Sequence, residues 1–236
     1  MVLIHGAYEN APANLARFLP VAREFLIYAL DTMGQSVMGA QTQLSTRDNS
    51  YGEWVVDTTD GLGLERASFI AASFGAGIAL RAAAIAPERI EKAVQVVPSG
   101  IASGPMLRMS RELFLPWALY FLFRGKGSLL KATAPMMSEN DGEFLAFVDA
   151  FLRNARFPSA GPRLAARGEL AGFTAPTLIF VTDDDLFFPG DKVAARAGEI
   201  IPNLADVVQL YGKHMPSRAS RELINRRILQ FLKASR

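Results

Sequence analysis

The sequence of 236 residues contains no cysteine and only two histidines, His5 and His214. Without cysteine the protein can form no disulfide, no zinc–thiolate site and no cysteine nucleophile. An excess of one charge is also lacking, because 25 basic residues face 23 acidic ones and leave a net charge of +2. That balance is too small by itself to indicate a nucleic-acid surface, so we expect no nucleic-acid partner.

Long hydrophobic runs are absent as well. A membrane span needs about 20 apolar residues, whereas the longest such stretch, "LFLPWALYFLF", is far shorter and contains a proline. The opening "MVLIHGAYEN" is too short for the apolar core of a signal peptide, and no basic region precedes it. These absences predict a cytoplasmic protein without a membrane span.

The sequence does contain a regular alternation of short apolar runs and helical segments, with half of its residues hydrophobic. Apolar strands that alternate with helices predict an α/β fold, a mostly parallel sheet of about six strands covered by helices on both faces. Functional sites in such sheets lie at the carboxyl ends of the strands. The predicted strands are residues 2–4, 25–31, 67–72, 92–97, 177–182 and 206–211.

One region breaks this alternation. Residues 101–170 contain several helical segments and no convincing strand, and the region is too long for a loop in a compact domain. We interpret it as a helical cap inserted over one end of the sheet. The predicted domains are therefore a core, formed by residues 1–100 and 171–236, and a cap, residues 101–170.

A candidate nucleophile lies in "AASFGAG", which follows a predicted strand and opens a helix. A serine is presented on such a turn in the pattern G-x-S-x-G, and here Ser73 takes the serine position with Ala71 in place of the first glycine. Taken alone, the segment is better explained as a structural turn of small residues. A serine hydroxyl is a poor nucleophile unless a neighbouring base accepts its proton.

Candidate partners for Ser73 follow two later strands. His214 lies in "LYGKHMP" after the sixth predicted strand, and Asp183, Asp184 and Asp185 follow the fifth. Each of these features has an ordinary explanation as a solvated loop. The order serine, aspartate, histidine is nevertheless the order of the catalytic residues in one α/β fold. Together the three features predict a Ser-His-Asp arrangement.

Attack by serine also creates an oxyanion that needs two backbone N–H donors. One donor is expected from the residue after the nucleophile, Phe74, and the other from Ala7, in the loop after the first strand. Since this loop is assigned to the oxyanion and His214 fits the base, we interpret His5 as structural.

With these residues in place, the sequence resembles the α/β-hydrolase fold family, and within it the capped serine hydrolases of carboxylesterase type. The resemblance covers nearly the whole chain outside the predicted cap. Its motifs occur in the family's order and spacing, and include "LIHGA", "LDTMGQS", "SFIAASFGAGIAL", "APTLIFVTDDDLFFP" and "LYGKHMP".

The resemblance implies a role for each matching residue. Ser73 matches the nucleophile and His214 the base. Of the three aspartates it selects Asp185, because the family's catalytic acid stands four residues before a proline, here Pro189. The oxyanion donors match Ala7 and Phe74.

The sequence departs from the family at two places. Ala71 replaces the first glycine of the nucleophile turn. Family members also carry about two further strands before the first strand seen here, which would leave the strand at residues 25–31 at the edge of the sheet. Exposed strand edges promote aggregation, so we expect a loop or a homodimer to protect this edge.

The resemblance implies hydrolysis of a small, apolar carboxylic ester through an acyl-enzyme intermediate, without a metal or cofactor. We expect Trp117, Tyr120 and Met215 to line the substrate pocket. The same triad serves carbon–carbon bond hydrolases, thioesterases, lactonases and iminopeptidases, so these activities stay open. A non-catalytic relative that binds a hydrophobic ligand is a further alternative, although a binding protein has no need of the triad.

Overall fold

The structure, a computed structural model, describes residues 1–35, 38–139, 142–154 and 161–234. Its strands are β1 (Val2–Ile4), β2 (Tyr28–Leu30), β3 (Ala67–Ala72), β4 (Ile90–Val96), β5 (Thr177–Thr182) and β6 (Leu204–Leu210). The helices outside the predicted cap are α1 (Ala11–Arg17), α2 (Leu19–Ala22), α3 (Ser50–Gly61), α4 (Phe74–Ile85), α9 (Gly190–Ile200) and α10 (Arg218–Lys233).

The helices between β4 and β5 are α5 (Met106–Met109), α6 (Leu115–Phe123), α7 (Lys126–Thr133) and α8 (Gly142–Asn154). A π-helical turn, Ser110–Phe114, joins α5 to α6. Residues 140–141 and 155–160 of the predicted cap lie outside the described residues. We refer to residues 106–154 as the helical segment.

The six strands form one parallel sheet in the order β2-β1-β3-β4-β5-β6. The α/β fold and the parallel sheet predicted from the sequence are thus confirmed. Because all strands run in the same direction, the loops that follow β1, β3, β5 and β6 all emerge at the carboxyl ends of the strands. The three-residue strand β2 is an edge strand of the sheet. Its protection by a loop or a homodimer stays a prediction.

Two apolar layers cover the faces of the sheet. Alternate residues of one strand point to opposite faces, so Ile4 packs in the layer with α3, α4 and α9, whereas Leu3 packs in the layer with α1, α2 and α10. Strands β3 and β5 are buried on both faces, which explains their continuous apolar sequences. No helix among the described residues is long and apolar enough to cross a membrane.

Candidate active site

Ser73 occupies the sharp turn between β3 and α4. Its φ of 48° and ψ of −116° are rarely adopted by a residue with a side chain, and such strain is typical of functional sites. Two hydrogen bonds hold the turn, because Ser73 N–H donates to the backbone of β4 at Val96 O, 2.9 Å away, and the side-chain hydroxyl of Ser99 donates to Ser73 O at 2.9 Å. The strained conformation is therefore fixed by β4 and by Ser99.

The small residues around the turn are explained by different contacts. A Cβ at Gly75 would lie 2.5 Å from His5 O and 2.6 Å from Ile4 O, so only glycine fits where α4 approaches β1. Ala71, which replaces the first glycine of the expected pattern, is 1% exposed and packs in the apolar core. Its methyl group occupies space within the core and does not crowd the serine.

The structure brings Ser73, His214 and Asp185 together from the ends of three different strands. Ser73 Oγ lies 2.9 Å from His214 Nε2, and His214 Nδ1 lies 2.8 Å from Asp185 Oδ2. The other carboxylate oxygen of Asp185 accepts the N–H groups of Phe187 and Phe188 at 2.8 and 3.0 Å. Asp185 is thereby fixed at both oxygens, in a side chain with no exposed surface.

The two neighbouring aspartates hold the surrounding loops. Asp183 Oδ1 accepts the N–H of Gly212 at 2.7 Å, which ties the loop before His214 to the end of β5. Asp184 accepts a hydrogen bond from Arg108 at 2.6 Å and is half exposed. Among the three aspartates, the structure brings only Asp185 to the histidine.

Aromatic rings enclose the imidazole of His214. The ring of Phe187 lies 4.8 Å from it and that of Phe188 lies 5.5 Å away, measured between ring centroids, both in edge-to-face arrangements. The His214 side chain is accordingly only 11% exposed. These rings shield the hydrogen bond to Asp185 from water, and electrostatic interactions are stronger where water is excluded.

Ala7 and Phe74, the expected oxyanion donors, both lie beside Ser73. Both residues line the cavity that contains Ser73, and neither N–H donates to any acceptor among the described residues. The loop of Ala7 adjoins the serine, since a Cβ at Gly6 would lie 3.4 Å from Ser73 Cβ. The N–H of Phe74 is one of the first donors of α4, which have no partner within the helix.

Buried polar groups support the loop that carries Ala7. Thr32 N–H donates to His5 Nε2 at 3.0 Å, so the ring carries its proton on Nδ1, which donates to Gly6 O at 2.6 Å. Burial lowers the pKa of His5, which keeps the ring neutral. His5 therefore fixes this loop and takes no proton from Ser73.

Glu9 supports the loop from the other side. Its carboxylate accepts the Gly6 N–H at 3.3 Å and the amide group of Asn14 at 3.0 Å, and it pairs with Arg17. Burial alone raises the pKa of Glu9, but the charge and hydrogen bond of Arg17 outweigh it and leave the pKa below its usual value. Nothing in the sequence pattern marks this buried pair, because Glu9 precedes α1 and Arg17 ends it.

A cavity of about 430 Å³ opens beside Ser73 and His214. Trp117 and Met215, both expected in the pocket, line it together with Leu113, Phe114 and Met136. Tyr120 does not line the cavity. It packs with Ala132 and Val148 inside the helical segment, and its hydroxyl donates to Asp149, because its ring points toward α7 and α8.

The helical segment is hydrogen-bonded to the loops of Asp185 and His214. Gly104 N–H donates to Phe187 O at 2.7 Å, just before the segment begins. After α7, Ser138 Oγ accepts the N–H of Lys213 at 2.8 Å and donates to Met215 O at 2.7 Å, on either side of His214. Ser138 was not identifiable from the sequence, since its partners lie 75 and 77 residues away.

The family comparison agrees with this geometry, because the Alpha/beta hydrolase family matches residues 1–226. The chain belongs to the alpha/beta hydrolase family. Among curated proteins it resembles carboxylesterase YbfK of Bacillus subtilis (strain 168), at 22% identity over 240 residues that cover 98% of this chain and 79% of the relative.

Solved structures of the family share the fold. The naproxen esterase (carboxylesterase NP) of Bacillus subtilis superposes with a TM-score of 0.75 at 19% identity, covering 98% of this chain and 82% of the other. A 2-hydroxy-6-oxo-6-phenylhexa-2,4-dienoate hydrolase from Rhodococcus superposes with a TM-score of 0.76 at 18% identity, covering 99% and 90%. At these identities the likeness establishes the hydrolase fold and leaves the substrate open.

Proposed function

We propose that this hydrolase cleaves carboxylic esters through an acyl-enzyme intermediate on Ser73. The observation that carries the proposal is the hydrogen-bonded chain from Ser73 through His214 to Asp185. In that order the residues match the nucleophile, base and orienting acid of serine hydrolases. The carboxylesterase relative supports an ester as the substrate class.

Each group has a defined part in the proposed reaction. Ser73 Oγ attacks the acyl carbon while His214 Nε2 accepts its proton, and the N–H groups of Ala7 and Phe74 stabilise the oxyanion. Asp185 accepts the Nδ1 hydrogen, which orients the ring and stabilises its charged form. His214 then returns the proton to the leaving alcohol, and a water activated by the same ring releases the acid.

We further propose that residues 101–170 act as a cap over the reaction centre. Leu113, Phe114 and Trp117 of this region line the cavity together with Ser73 and His214. Most of the lining is apolar, so an apolar acyl or alcohol group would bind there.

The proposal is tested by hydrolysis of p-nitrophenyl esters of increasing acyl length, with the wild type beside Ser73→Ala. Removing the nucleophile of a working triad is expected to lower kcat on the order of 10⁴–10⁶-fold. Ser128→Ala is the control, because it removes a hydroxyl that bonds only to Gly125 and does not line the cavity. Equal and feeble rates in wild type and Ser73→Ala would refute ester hydrolysis through this serine.

A further inference from the structure

A second cavity adjoins the first and is rich in arginine. This arginine groove, of about 790 Å³, lies between α1–α2 and one face of α10. Five residues line both cavities and form the boundary that the two share. The shared residues are Glu9, Arg17, Phe147, Arg221 and Asn225.

The charges of the groove are strongly unequal. Its acidic residues are Glu9, already paired with Arg17, and Glu222, which is 61% exposed. Its basic residues are Arg17, Arg23, Arg218, Arg221 and Arg226. A concave surface with this excess of positive charge concentrates anions.

Arg17, Arg23 and Arg226 have guanidinium donors that no contact among the described residues uses. Arg23 and Arg226 are exposed and form no ion pair with any residue that the structure describes. Arg17 uses only Nη1 for Glu9 among the described contacts, and its side chain is 25% exposed toward the two cavities. Arg221 lies 3.5 Å from Glu139 and lines both cavities.

The secondary structure explains why these groups meet. Residues 218, 221, 222, 225, 226 and 229 recur at helical spacing and form one stripe along α10. Asn225, at the centre of the stripe, donates its amide group to Arg17 O at 2.9 Å, which joins α10 to the end of α1. The arginines at the junction are thus held by two helices packed against each other.

The junction also forms the polar side of an otherwise apolar cavity. Asn14 and Asn225 are buried there, and the carbonyl oxygen of each side chain has no hydrogen-bond partner among the described residues. A purely apolar ester would leave this side of the cavity unused. These carbonyl oxygens are acceptors and bind no anion, so the donors for a charged end of a substrate would be the guanidinium groups of Arg17 and Arg221, which line both cavities.

We propose that the arginine groove binds a carboxylate of the substrate, remote from the ester that Ser73 attacks. The preferred substrates are then esters that carry a second carboxylate at the end of an apolar spacer. Arginine suits this role because its planar fork donates two parallel hydrogen bonds to one carboxylate. The inference rests on the proposed ester hydrolysis and specifies its substrate class.

The test compares esters that differ only in the remote carboxylate. One arm places it on the acyl side, with mono-p-nitrophenyl adipate, suberate and sebacate against p-nitrophenyl hexanoate, octanoate and decanoate. The other arm places it on the alcohol side, with 4-carboxyphenyl butyrate against phenyl butyrate. We expect the wild type to show a higher kcat/KM for the anionic ester in at least one arm, and this preference to decrease with salt.

Substitutions then identify the groove as the cause. We expect Arg221→Gln to lower kcat/KM for the preferred anionic esters on the order of tenfold, through KM, and to leave the neutral esters within about twofold. Arg23→Gln/Arg226→Gln removes two exposed charges that form no ion pair among the described residues, so we expect the fold to be retained and a smaller loss. Arg66→Gln is the matched control, because Arg66 is exposed at the amino end of β3, opposite the site.

Binding of free suberate to Ser73→Ala, measured by calorimetry, separates the inference from the proposed function. Binding that weakens on adding Arg221→Gln but not Arg66→Gln would support the groove even if no ester were cleaved. Esters cleaved through Ser73 without any preference for the anionic partner, and no binding of suberate, would overturn the groove while ester hydrolysis stood. Absence of both ester cleavage and suberate binding would overturn both proposals.

Discussion

Helices α4 and α6 are both strongly apolar, yet they are used in opposite ways. Ten of the twelve residues of α4 are buried, whereas of the nine residues of α6 only Tyr120 is buried. Alanine and glycine in α4 let it approach the sheet and α3 closely, and a Cβ at Gly52 would lie 2.6 Å from the backbone of Arg81. Most large side chains of α6 instead point outward, and Leu122 and Phe123 are 72% and 68% exposed.

The comparison separates rigid and loosely packed parts of the site. Ser73, the proposed nucleophile, immediately precedes α4, a helix that is almost entirely buried. The helical segment contributes apolar walls and is connected to the loops of Asp185 and His214 through Ser138 and through Gly104, which precedes the segment. We therefore expect substitutions at the carboxyl ends of the strands and at these connections to change kcat or stability strongly. Substitutions on the outer face of α6 should change them little.

Among the variants that test this comparison, Asp185→Asn is expected to have the largest effect on kcat, because Asp185 lies in the rigid part of the site after β5. An amide at this position can present its NH₂ group to Nδ1 and stabilise the wrong tautomer of His214, so kcat should fall on the order of 10⁴-fold. The measurement is kcat on the preferred p-nitrophenyl ester. Asp184→Asn, which alters a half-exposed pair with Arg108, should change kcat less than about threefold. Equal losses in the two variants would contradict the role of Asp185.

The next largest effect is a loss of stability, expected where Arg81 of α4 pairs with Glu169. Arg81 is fully buried and donates to Glu169 at 2.8 Å, and Arg163 donates to the same carboxylate. Glu169→Gln leaves the charge of Arg81 without its partner, so the free energy of unfolding should fall by about 3 kcal/mol. Urea denaturation measures it, with Glu199→Gln on the surface as the control, expected to cost less than about 1 kcal/mol.

The same pair gives stability a pH dependence. Hydrogen bonds from Arg163 outweigh partial burial and lower the pKa of Glu169 to about 2, from an ordinary 4.5. A depressed pKa stabilises the folded state above the unfolded value, so this contribution is complete above pH 4.5 and is lost as the pH falls toward 2. In Glu169→Gln the loss of stability across this window should be smaller than in wild type. An identical acid dependence would count against the assignment.

Ser138→Ala tests the connection between the helical segment and the His214 loop. It removes the hydroxyl that bonds both Lys213 and Met215, at a cost of about 1–2 kcal/mol. Because His214 lies between those two residues, we expect kcat to fall about tenfold through misplacement of the ring, with little change in KM. Ser128→Ala is matched, since its hydroxyl bonds only Gly125 within the helical segment, and kcat should be unchanged. Similar kcat values in the wild type, Ser138→Ala and Ser128→Ala would contradict the expectation that Ser138 positions His214.

The smallest effect is expected on the outer face of α6. Leu122→Ala should change the free energy of unfolding by less than about 0.5 kcal/mol, because the side chain is already in water. Leu113→Ala, at a residue that is 1% exposed and lines the cavity, should cost about 2–5 kcal/mol. Thermal unfolding of the two variants measures the contrast. A large cost at Leu122 would show that the face of α6 is covered in solution.

Much of the candidate site could be predicted because its chemistry restricts the residue types. Only two histidines occur, and a nucleophilic serine needs a base. The strand order then limits where a base and an acid can lie. Tyr120 illustrates the limit of this reasoning, because aromatic composition alone does not say whether a ring faces the cavity or the interior of the helical segment.

The sequence by itself determined the alternation of strands and helices and the chain order of Ser73, Asp185 and His214, since local periodicity and residue chemistry suffice for both. Only the tertiary structure decided which buried charges pair, which helix faces water and which polar groups line the cavity. Glu9 with Arg17, Ser138 with the His214 loop, and the arginines of α10 beside α1 are brought together by packing. Such contacts join residues that have no fixed spacing along the chain, so no sequence pattern records them.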